Sequence, residues 1–364
     1  EIYTLSLHDA LPIYDEWTES GVPYIRASDI SNDDLSGVLF ISKDKYEFYK
    51  ERTGAPNKND VLFNGGGEIG KAVLKEDDTP VYVQGGAVLY VRTSESEHLR
   101  GDYLTSYFST KSAKQYIEVA SAGGTMKHYT LKPAQNMPVV FPSVEEQTKI
   151  GDYFTKLDNL ITLQQRKCDA LKELKKGMLP KMFPKNGAKV PEFRFKGFTD
   201  DWEQRKLGDI VDVCSGRDYK HLDEGDIPVY GTGGYMLSVS EALSEKDDAI
   251  GIGRKGTIDK PYVLKAPFWT VDTLFYCIPK TNYDLDFVYA TYQKIDWKSM
   301  DESTGVPSLS KNAINAVSVA VPKKDEQIRI GQHFKNIDNL ITLSQRKCDE
   351  LKKLKKGLLQ KMFI

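Results

Sequence analysis

The sequence predicts an α+β protein in which two globular regions alternate with two long helices that form a coiled coil. Three observations support this prediction: a repeat with a constant spacing of 180 residues, an apolar heptad pattern inside the repeated segments, and short Val/Tyr/Phe runs separated by Gly and Pro. The chain has 364 residues, 40% of them hydrophobic, which is enough for two or three domains with cores of their own.

The repeat is the clearest feature of the chain. Residues 158–163 (DNLITL) recur as residues 338–343, and residues 165–169 (QRKCD) recur as residues 345–349. Because the matched segments are 180 residues apart without a gap, the chain is a tandem duplication. We therefore predict that the two repeated segments have the same structural role.

The repeated segments are predicted to be long helices over residues 143–183 and 323–364. Residues 145–183 alone would form a helix roughly 58 Å long. Apolar residues recur at positions a and d of five heptads when Ile150 is taken as position a, which predicts a coiled-coil seam. The polar a positions Gln164 and Ser344 fall near mid-helix and are predicted to set the register.

Two helices of an ordinary core are the alternative, which the length and the many lysines of these segments disfavour. The residues that we expect to pack the helices and adjoining subunits are Ile150, Phe154, Leu157, Ile161, Leu171, Ile330, Phe334, Ile337, Ile341 and Leu351.

The remaining chain is predicted to hold two related globular regions, residues 14–142 and 194–322, with a linker at residues 184–193. Their sequences are similar only at the positions that form turns and end strands. Examples are the glycine-containing loops and the apolar strand that ends each region in proline. Residues 1–13 resemble translated sequencing-adaptor sequence, so we interpret them as a non-native leader and expect the gene product to start earlier. An ordinary N-terminal strand and helix is the alternative.

Charge and cysteine usage narrow the class of protein. The formal net charge is −2, so any nucleic-acid contact requires a local basic patch rather than a basic protein. The four cysteines lie far apart and form no CxxC pair, which predicts reduced thiols in a cytosolic protein rather than a zinc site. No apolar run approaches the roughly 20 residues of a membrane helix.

Two glycine-rich segments resemble nucleotide-binding motifs but lack required parts. Residues 65–71 have the Walker A spacing, yet Ala72 stands where a Ser or Thr must hold Mg²⁺. Residues 251–256 fit G-x-G-x-x-G, but Pro261 follows closely, so no Rossmann helix is predicted there. We predict that both segments are the same glycine-rich hairpin in the two globular regions.

The linker leads into residues 191–210 (PEFRFKGFTDDWEQRKLGDI), which resemble the start of a target-recognition domain in type I restriction specificity subunits. The entry into each helix, Pro142 with Glu146 and Gln147 and their counterparts 180 residues later, is similar to the same family. The resemblance covers residues 14–364. One departure is that the first region has no counterpart of residues 194–215, so residues 14–142 are predicted to be an N-terminally truncated target-recognition domain.

The resemblance implies a non-catalytic DNA-specificity subunit of a cytoplasmic phage-defence system. Each globular region would read one half of a bipartite, asymmetric site in double-stranded DNA, and the helices would pack antiparallel and fix the gap between the half-sites. The helices would dock two modification (methyltransferase) subunits, and restriction (motor-nuclease) subunits would join for cleavage. S-adenosylmethionine, ATP and Mg²⁺ are expected on those partners, with no cofactor in this chain and no membrane partner.

No catalytic side-chain pattern or metal-ligand pattern is predicted, which disfavours a stand-alone enzyme. A non-catalytic coiled-coil scaffold without DNA specificity is the main alternative function. The residues that we predict to contact DNA are Arg26, Asn64, Lys71, Thr125, Lys127 and His128 in the first region and Tyr230, Arg254, Lys255, Lys260, Ser308, Ser310 and Lys311 in the second, each with the alternative of an ordinary surface residue.

Overall fold

The computed structural model describes residues 2–3, 17–83, 85–124, 127–185 and 187–363. Tyr14 and most of the predicted leader lie outside the described residues. The chain divides into two units: the first combines residues 1–164 with residues 347–364, and the second holds residues 165–346. Each unit therefore contains one globular region and one half of each long helix.

The first unit begins with short strands and helices and continues into the first long helix. Its strands are β1 (Ile2–Tyr3), β2 (Trp17–Thr18), β3 (Val22–Ile25), β4 (Phe40–Ile41), β5 (Val61–Asn64), β6 (Ala72–Leu74), β7 (Tyr82–Val83) and β8 (Val88–Val91). Its helices are α1 (Ala27–Ser31), α2 (Lys43–Thr53), α3 (Gly101–Phe108), α4 (Lys111–Ala120), α5 (Leu131–Gln135) and α6 (Val144–Met178), with a 3₁₀ turn at Thr93–Glu95.

The strands of the first unit form one sheet in the order β1-β8-β5-β6 and a second in the order β2-β4-β3-β7. The central strand β5 is buried on both faces, as its apolar run predicts. Leu62 packs into a core with Tyr24 and Tyr82, whereas Val61 and Phe63 pack into a core with α3 and α4. Alternate residues point to opposite faces of a strand, so β5 joins these two cores.

The second unit contains the strands β9 (Glu203–Lys206), β10 (Val211–Ser215), β11 (Glu224–Gly231), β12 (Gly234–Val239), β13 (Ala249–Gly253), β14 (Tyr262–Leu264), β15 (Trp269–Thr270), β16 (Leu274–Pro279) and β17 (Ser318–Val321). Its helices are α7 (Leu207–Ile210), α8 (Leu285–Lys294), α9 (Lys311–Ala316) and the start of α10 (Lys324–Met362), with a 3₁₀ turn at Trp297–Met300. The sheets have the orders β10-β16-β13-β14, β12-β11-β15 and β17-β9.

The two units have the same sheet plan despite their faint sequence similarity. An antiparallel trio is β8-β5-β6 in the first unit and β16-β13-β14 in the second. A parallel pair accompanies it, β3 with β7 and β11 with β15. At the edge of the trio, β1 pairs with β8 where β10 pairs with β16. The two globular regions, predicted to be related, therefore share a strand topology. The predicted α+β class is confirmed.

The two long helices differ in length at their C-terminal ends. Helix α6 ends at Met178, five residues before the predicted end at 183, whereas α10 continues to Met362. Pro180 accounts for the difference, because a proline disfavours helical geometry in the residue before it and cannot donate a helical N–H. The equivalent residue of α10 is Gln360, which imposes no such restriction.

The helix halves pack antiparallel within each unit. In the first unit, Phe154 and Leu157 of α6 share a core with Leu359 of α10, and the Lys355 ammonium lies 2.6 Å from the Asp158 carboxylate. In the second unit, Lys175 pairs with Asp338 in the same way. The lysines that interrupt the d positions are therefore paired across the two helices.

Near mid-helix the seam holds a cysteine from each repeat, Cys168 and Cys348, both fully buried. The Cys168 Sγ atom lies 3.9 Å from the Ile341 oxygen within the second unit, and Cys348 Sγ lies 4.0 Å from the Ile161 oxygen within the first. Of the polar a positions, Ser344 is buried and Gln164 is partly buried.

Within the described ranges, no helix combines the length and apolar character that a membrane crossing requires. In the same ranges, His, Cys, Asp and Glu side chains do not gather into a potential metal site.

Two glycines allow the globular regions to approach the long helices closely. A Cβ atom at Gly331 of α10 would lie 2.5 Å from the Asp284 carboxylate and 2.6 Å from the Phe287 nitrogen. At the equivalent Gly151 of α6, a Cβ would lie 2.5 Å from Asp102. A side chain at either position would force the helix away from its domain.

We expect Gly331→Ala to lower the free energy of unfolding of the second unit by about 1–3 kcal/mol, the usual cost of overpacking. Gly357→Ala in the same helix is the matched control, because nothing lies within 4 Å of a Cβ there. This change should raise stability by up to about 1 kcal/mol through helix propensity. Urea unfolding of both variants measures the difference, and equal stabilities would contradict the close approach.

Candidate nucleic-acid interface

Three loops of the second unit meet on one surface, which we call the second loop cluster: residues 232–233, 254–261 and 301–310. The N–H of Gly256 donates to the Pro307 oxygen over 2.8 Å, and the N–H of Leu309 donates to the Arg254 oxygen over 2.9 Å. The Tyr262 hydroxyl donates to the Gly231 oxygen over 2.6 Å, and burial raises the pKa of this tyrosine. Backbone bonds thus hold loops that are distant in sequence in one fixed arrangement.

Most residues predicted to contact DNA in this region lie on the second loop cluster. Arg254 and Lys255 are exposed directly after β13, and residue 255 forms an isolated β-bridge with Ser308. Lys260 and Lys311 are also exposed. Exposed cations on a rigid backbone can contact phosphates without a large ordering cost.

Two of the predicted residues have structural contacts of their own. The Ser310 hydroxyl caps α9 by accepting the Ala313 N–H and donates to the Glu302 carboxylate over 3.1 Å. Tyr230 is half-buried between the rings of Tyr235 and Tyr262. Both residues therefore also shape the loops.

The second loop cluster carries negative as well as positive charge. The Asp301 carboxylate accepts the backbone N–H groups of Ser308 and Ser303, and these bonds lower its pKa. A carboxylate repels phosphate but can accept a hydrogen bond from the cytosine amino group. This end of the cluster is therefore better suited to base edges, and the end with Arg254 and Lys255 to phosphates.

Sequence reasoning missed two exposed side chains beside this cluster. Tyr235 is 63% exposed and Met236 is 50% exposed on β12, directly after the glycine turn at residues 233–234. Regular alternation along a strand would bury one of two neighbouring residues, so the strand pattern does not predict that both are exposed. The glycine pair at residues 233–234 was the sequence feature that could have indicated an exposed turn there.

The first unit has a corresponding first loop cluster, residues 64–71 and 127–129. The N–H of Tyr129 donates to the Gly65 oxygen over 2.8 Å, and the N–H of Asn64 donates to the Lys71 oxygen over 2.9 Å. His128 is exposed beside Gly66, and Lys127 is exposed next to it. Thr125, also predicted to contact DNA, lies outside the described residues.

Asn64 occupies a buried position, although we predicted it as a DNA contact. Its side-chain amide donates to the Ala27 oxygen over 2.9 Å and to the Ser31 hydroxyl over 3.1 Å. Both partners belong to α1. The hydrogen bonds of Asn64 therefore link the glycine turn to α1 and position the first loop cluster.

Arg26 and Lys71, the predicted cations nearest to this turn, are held in ion pairs. Two guanidinium nitrogens of Arg26 bond the Asp29 carboxylate, which raises the pKa of Arg26, and the Lys71 ammonium lies 2.8 Å from Asp33. Phosphate contact by either cation would compete with these carboxylates. Lys127 and His128 face no such competition from an ion pair among the described residues.

The glycine-rich segments are hairpins in both units. After Lys71 the chain enters β6, which pairs antiparallel with β5, and after residue 256 it reaches β14, which pairs antiparallel with β13. Neither segment opens the helix that phosphate binding by such motifs uses. The prediction of one shared hairpin agrees with this topology.

The long helices expose leucines at equivalent positions of the repeat. Leu160 and Leu340 are 47% and 44% exposed, and Leu163 and Leu343 are 59% and 64% exposed. Leu174 and Leu354 form a third such pair. Within the predicted packing set, Ile150, Phe154, Leu157, Ile330, Phe334 and Ile337 are buried, and Ile161, Leu171, Ile341 and Leu351 are partly buried.

Comparison with known proteins relates the chain to DNA specificity proteins. The family profile described as the type I restriction modification DNA specificity domain matches residues 8–173 and 199–353. The type I restriction enzyme MjaVIII specificity subunit of Methanocaldococcus jannaschii is 22% identical over 296 residues, which cover 71% of this chain and 68% of that protein.

The putative type I restriction enzyme MjaX specificity subunit of the same organism is 23% identical over 335 residues, 82% of this chain and 76% of that protein. Among solved structures, the S subunit of a type I restriction-modification system from M. genitalium superimposes with a TM-score of 0.76 at 19% identity. The match covers 100% of this chain and 93% of that one, and it is a likeness of fold.

Proposed function

Because the chain belongs to the type I restriction modification DNA specificity family, we propose that its two loop clusters read the two halves of one bipartite, asymmetric DNA site. The chain is the DNA-recognition subunit of such a system and not its catalytic component. Like its family, it binds DNA and assembles with other restriction-modification subunits.

The observation that carries the proposal is the combination of one sheet plan with two different loop surfaces. The first loop cluster presents Lys127 and His128, whereas the second presents Arg254, Lys255 and Ser308. Sequence is read by side chains at base edges, so surfaces with different side chains select different half-sites. We therefore expect an asymmetric target rather than a palindrome.

The outer faces of the long helices are the proposed docking sites for two modification subunits. Exposed leucines recur at equivalent positions of the repeat, as with Leu163 and Leu343, and repeated surfaces suit two copies of one partner. Restriction subunits join this assembly in the cytoplasm, where the genomic DNA lies. S-adenosylmethionine, ATP and Mg²⁺ belong to those partners in this proposal, and the helix lengths set the spacer of the target.

A coiled-coil scaffold without DNA specificity is the competing function. It would account for the exposed leucines but not for two rigid loop clusters with exposed basic residues. DNA binding through phosphates weakens steeply as salt rises, whereas a protein scaffold has no such DNA affinity. Binding of the chain to duplex DNA over a range of salt concentrations separates the two functions.

The decisive experiment is co-expression with the cognate modification subunit, followed by mapping of methylated adenines across the host genome. We expect one bipartite motif with a fixed spacer and different halves. A stable complex without sequence-linked methylation would overturn the proposal and favour the scaffold. Specificity confined to one half-site would restrict the reading function to one loop cluster.

A further inference from the structure

The segment that closes each globular region is a paired strand in the second unit, whereas in the first unit it is not part of a sheet among the described residues. Strand β17 pairs antiparallel with β9 over four residues, and its Val319 and Val321 are only 8% and 5% exposed. The equivalent residues 138–141, 180 positions earlier, form no strand with the described residues. Phe141, the counterpart of Val321, is 44% exposed, and Val140, the counterpart of Ala320, is 68% exposed. Val139, the counterpart of Val319, is partly buried.

A buried carboxylate of the second unit also has an exposed counterpart. Glu326 is 2% exposed, and its carboxylate accepts two bonds of 2.7 Å from the Arg194 guanidinium. The equivalent Glu146, in the first turn of α6, is exposed, and no ion pair joins it to the described residues. The carboxylate at this position therefore pairs with an arginine in the second unit and is exposed to solvent in the first.

Aromatic contacts repeat this contrast. In the second unit, the Phe195 ring lies 5.6 Å from the His333 ring and under the Arg329 guanidinium at 5.2 Å. The equivalent of His333 is Tyr153, which is 44% exposed. The open face of the first unit therefore consists of the segment 138–141, Glu146 and Tyr153.

We propose that this open face is a docking site for one extended polypeptide segment with the chemistry of residues 191–206, other than the copy already held in the second unit. Such a segment presents an arginine, a neighbouring phenylalanine and a strand, which match the carboxylate, the tyrosine and the backbone of residues 139 and 141 respectively. The oxygens of Pro138 and Val140 are not part of this edge, because they accept the Tyr107 and Tyr103 hydroxyls. The proposal is independent of the proposed DNA recognition.

Each part of the match has a physical basis. An unpaired strand edge adds an extended peptide through backbone hydrogen bonds, and side-chain pockets supply the selectivity. An arginine can bond a carboxylate in bidentate fashion, as Arg194 bonds Glu326. Covering Val140 and Phe141 removes apolar surface from water. A purely acidic or purely apolar ligand would satisfy only part of this surface.

The test uses a labelled synthetic peptide with the sequence of residues 191–206, titrated into the full chain. We expect saturable one-to-one binding, with slower amide hydrogen exchange at residues 139–141 and unchanged exchange at residues 318–321. Glu146→Gln should weaken binding about tenfold or more, because a charge-assisted pair is lost. A peptide that carries the Arg194→Ala change should bind the unaltered chain as weakly as the original peptide binds the Glu146→Gln variant.

Glu145→Gln is the matched control, since Glu145 is exposed in the same helical turn and pairs only with Lys149 among the described residues. It should leave peptide affinity unchanged. The proposal is overturned if the folded chain shows no saturable binding, or if both glutamate variants bind equally well. It is also overturned if the chain alone is a dimer in which residues 138–141 are already protected, because a second copy would then be the occupant.

Discussion

Replacing Arg194 with alanine is expected to lower the free energy of unfolding of the second unit by about 3–5 kcal/mol, the cost of leaving a buried charge without its partner. The Glu326 carboxylate is 2% exposed and accepts both 2.7 Å bonds from this guanidinium. Arg194 also donates to the Asp200 oxygen. Its removal would leave Glu326 desolvated, so the loss exceeds that of an ordinary salt bridge.

Arg205→Ala is the matched control, because Arg205 pairs with Glu203 on an exposed surface. An exposed ion pair of this kind contributes little to stability, so this variant should unfold close to the unaltered chain. Urea unfolding of Arg194→Ala, Glu326→Ala and the double variant completes a mutant cycle. The double variant should lose less stability than the sum of the single changes, because no charge then remains buried. Strict additivity would contradict a direct pair.

The second large effect concerns DNA binding. Replacing both Arg254 and Lys255 with alanine is expected to reduce the slope of log affinity against log salt by about 1.8, since each phosphate contact contributes about 0.9. Both side chains are exposed, while Gly256 and Leu309 fix the backbone around them. The affinity should fall to a similar degree for target and non-target duplexes, because phosphates carry no sequence information.

A control with the same change in net charge is Lys167→Ala combined with Lys347→Ala. These lysines occupy equivalent exposed positions on the long helices, outside both loop clusters. The control variant should show the same slope of log affinity against log salt as the unaltered chain, when binding is measured between about 50 and 200 mM salt. If both double variants lose the same slope, DNA affinity reflects general charge and not the second loop cluster.

The long helices and the hairpins were predictable because their signals are local. The 180-residue repeat and the heptad pattern were enough to predict α6 and α10, and the missing helix after each glycine segment was visible in the residues that follow it. The early end of α6 was also readable from Pro180, which has Gln360 as its counterpart. The heptad pattern alone predicts a helix that continues past Pro180 to residue 183.

The roles of individual polar residues were not predictable, because their partners are distant in sequence. Asn64 resembled a surface residue beside a glycine turn, yet it bonds the Ala27 oxygen 37 residues away. Lys175 occupies a d position of the heptad, where an apolar residue is usual, and antiparallel packing places Asp338 beside it. Such pairs depend on tertiary topology, which the spacing of one residue from its neighbours does not encode.

The discontinuity of the first unit has a consequence for synthesis on the ribosome. Its core includes Phe154 from α6 and Leu359 from α10, and the Phe363 ring lies 5.8 Å from that of Phe154. The second unit, by contrast, is a continuous stretch of residues 165–346. The globular region that is translated first is thus completed last, and the nascent chain must carry an uncovered apolar surface at Phe154 until its final turn of helix emerges.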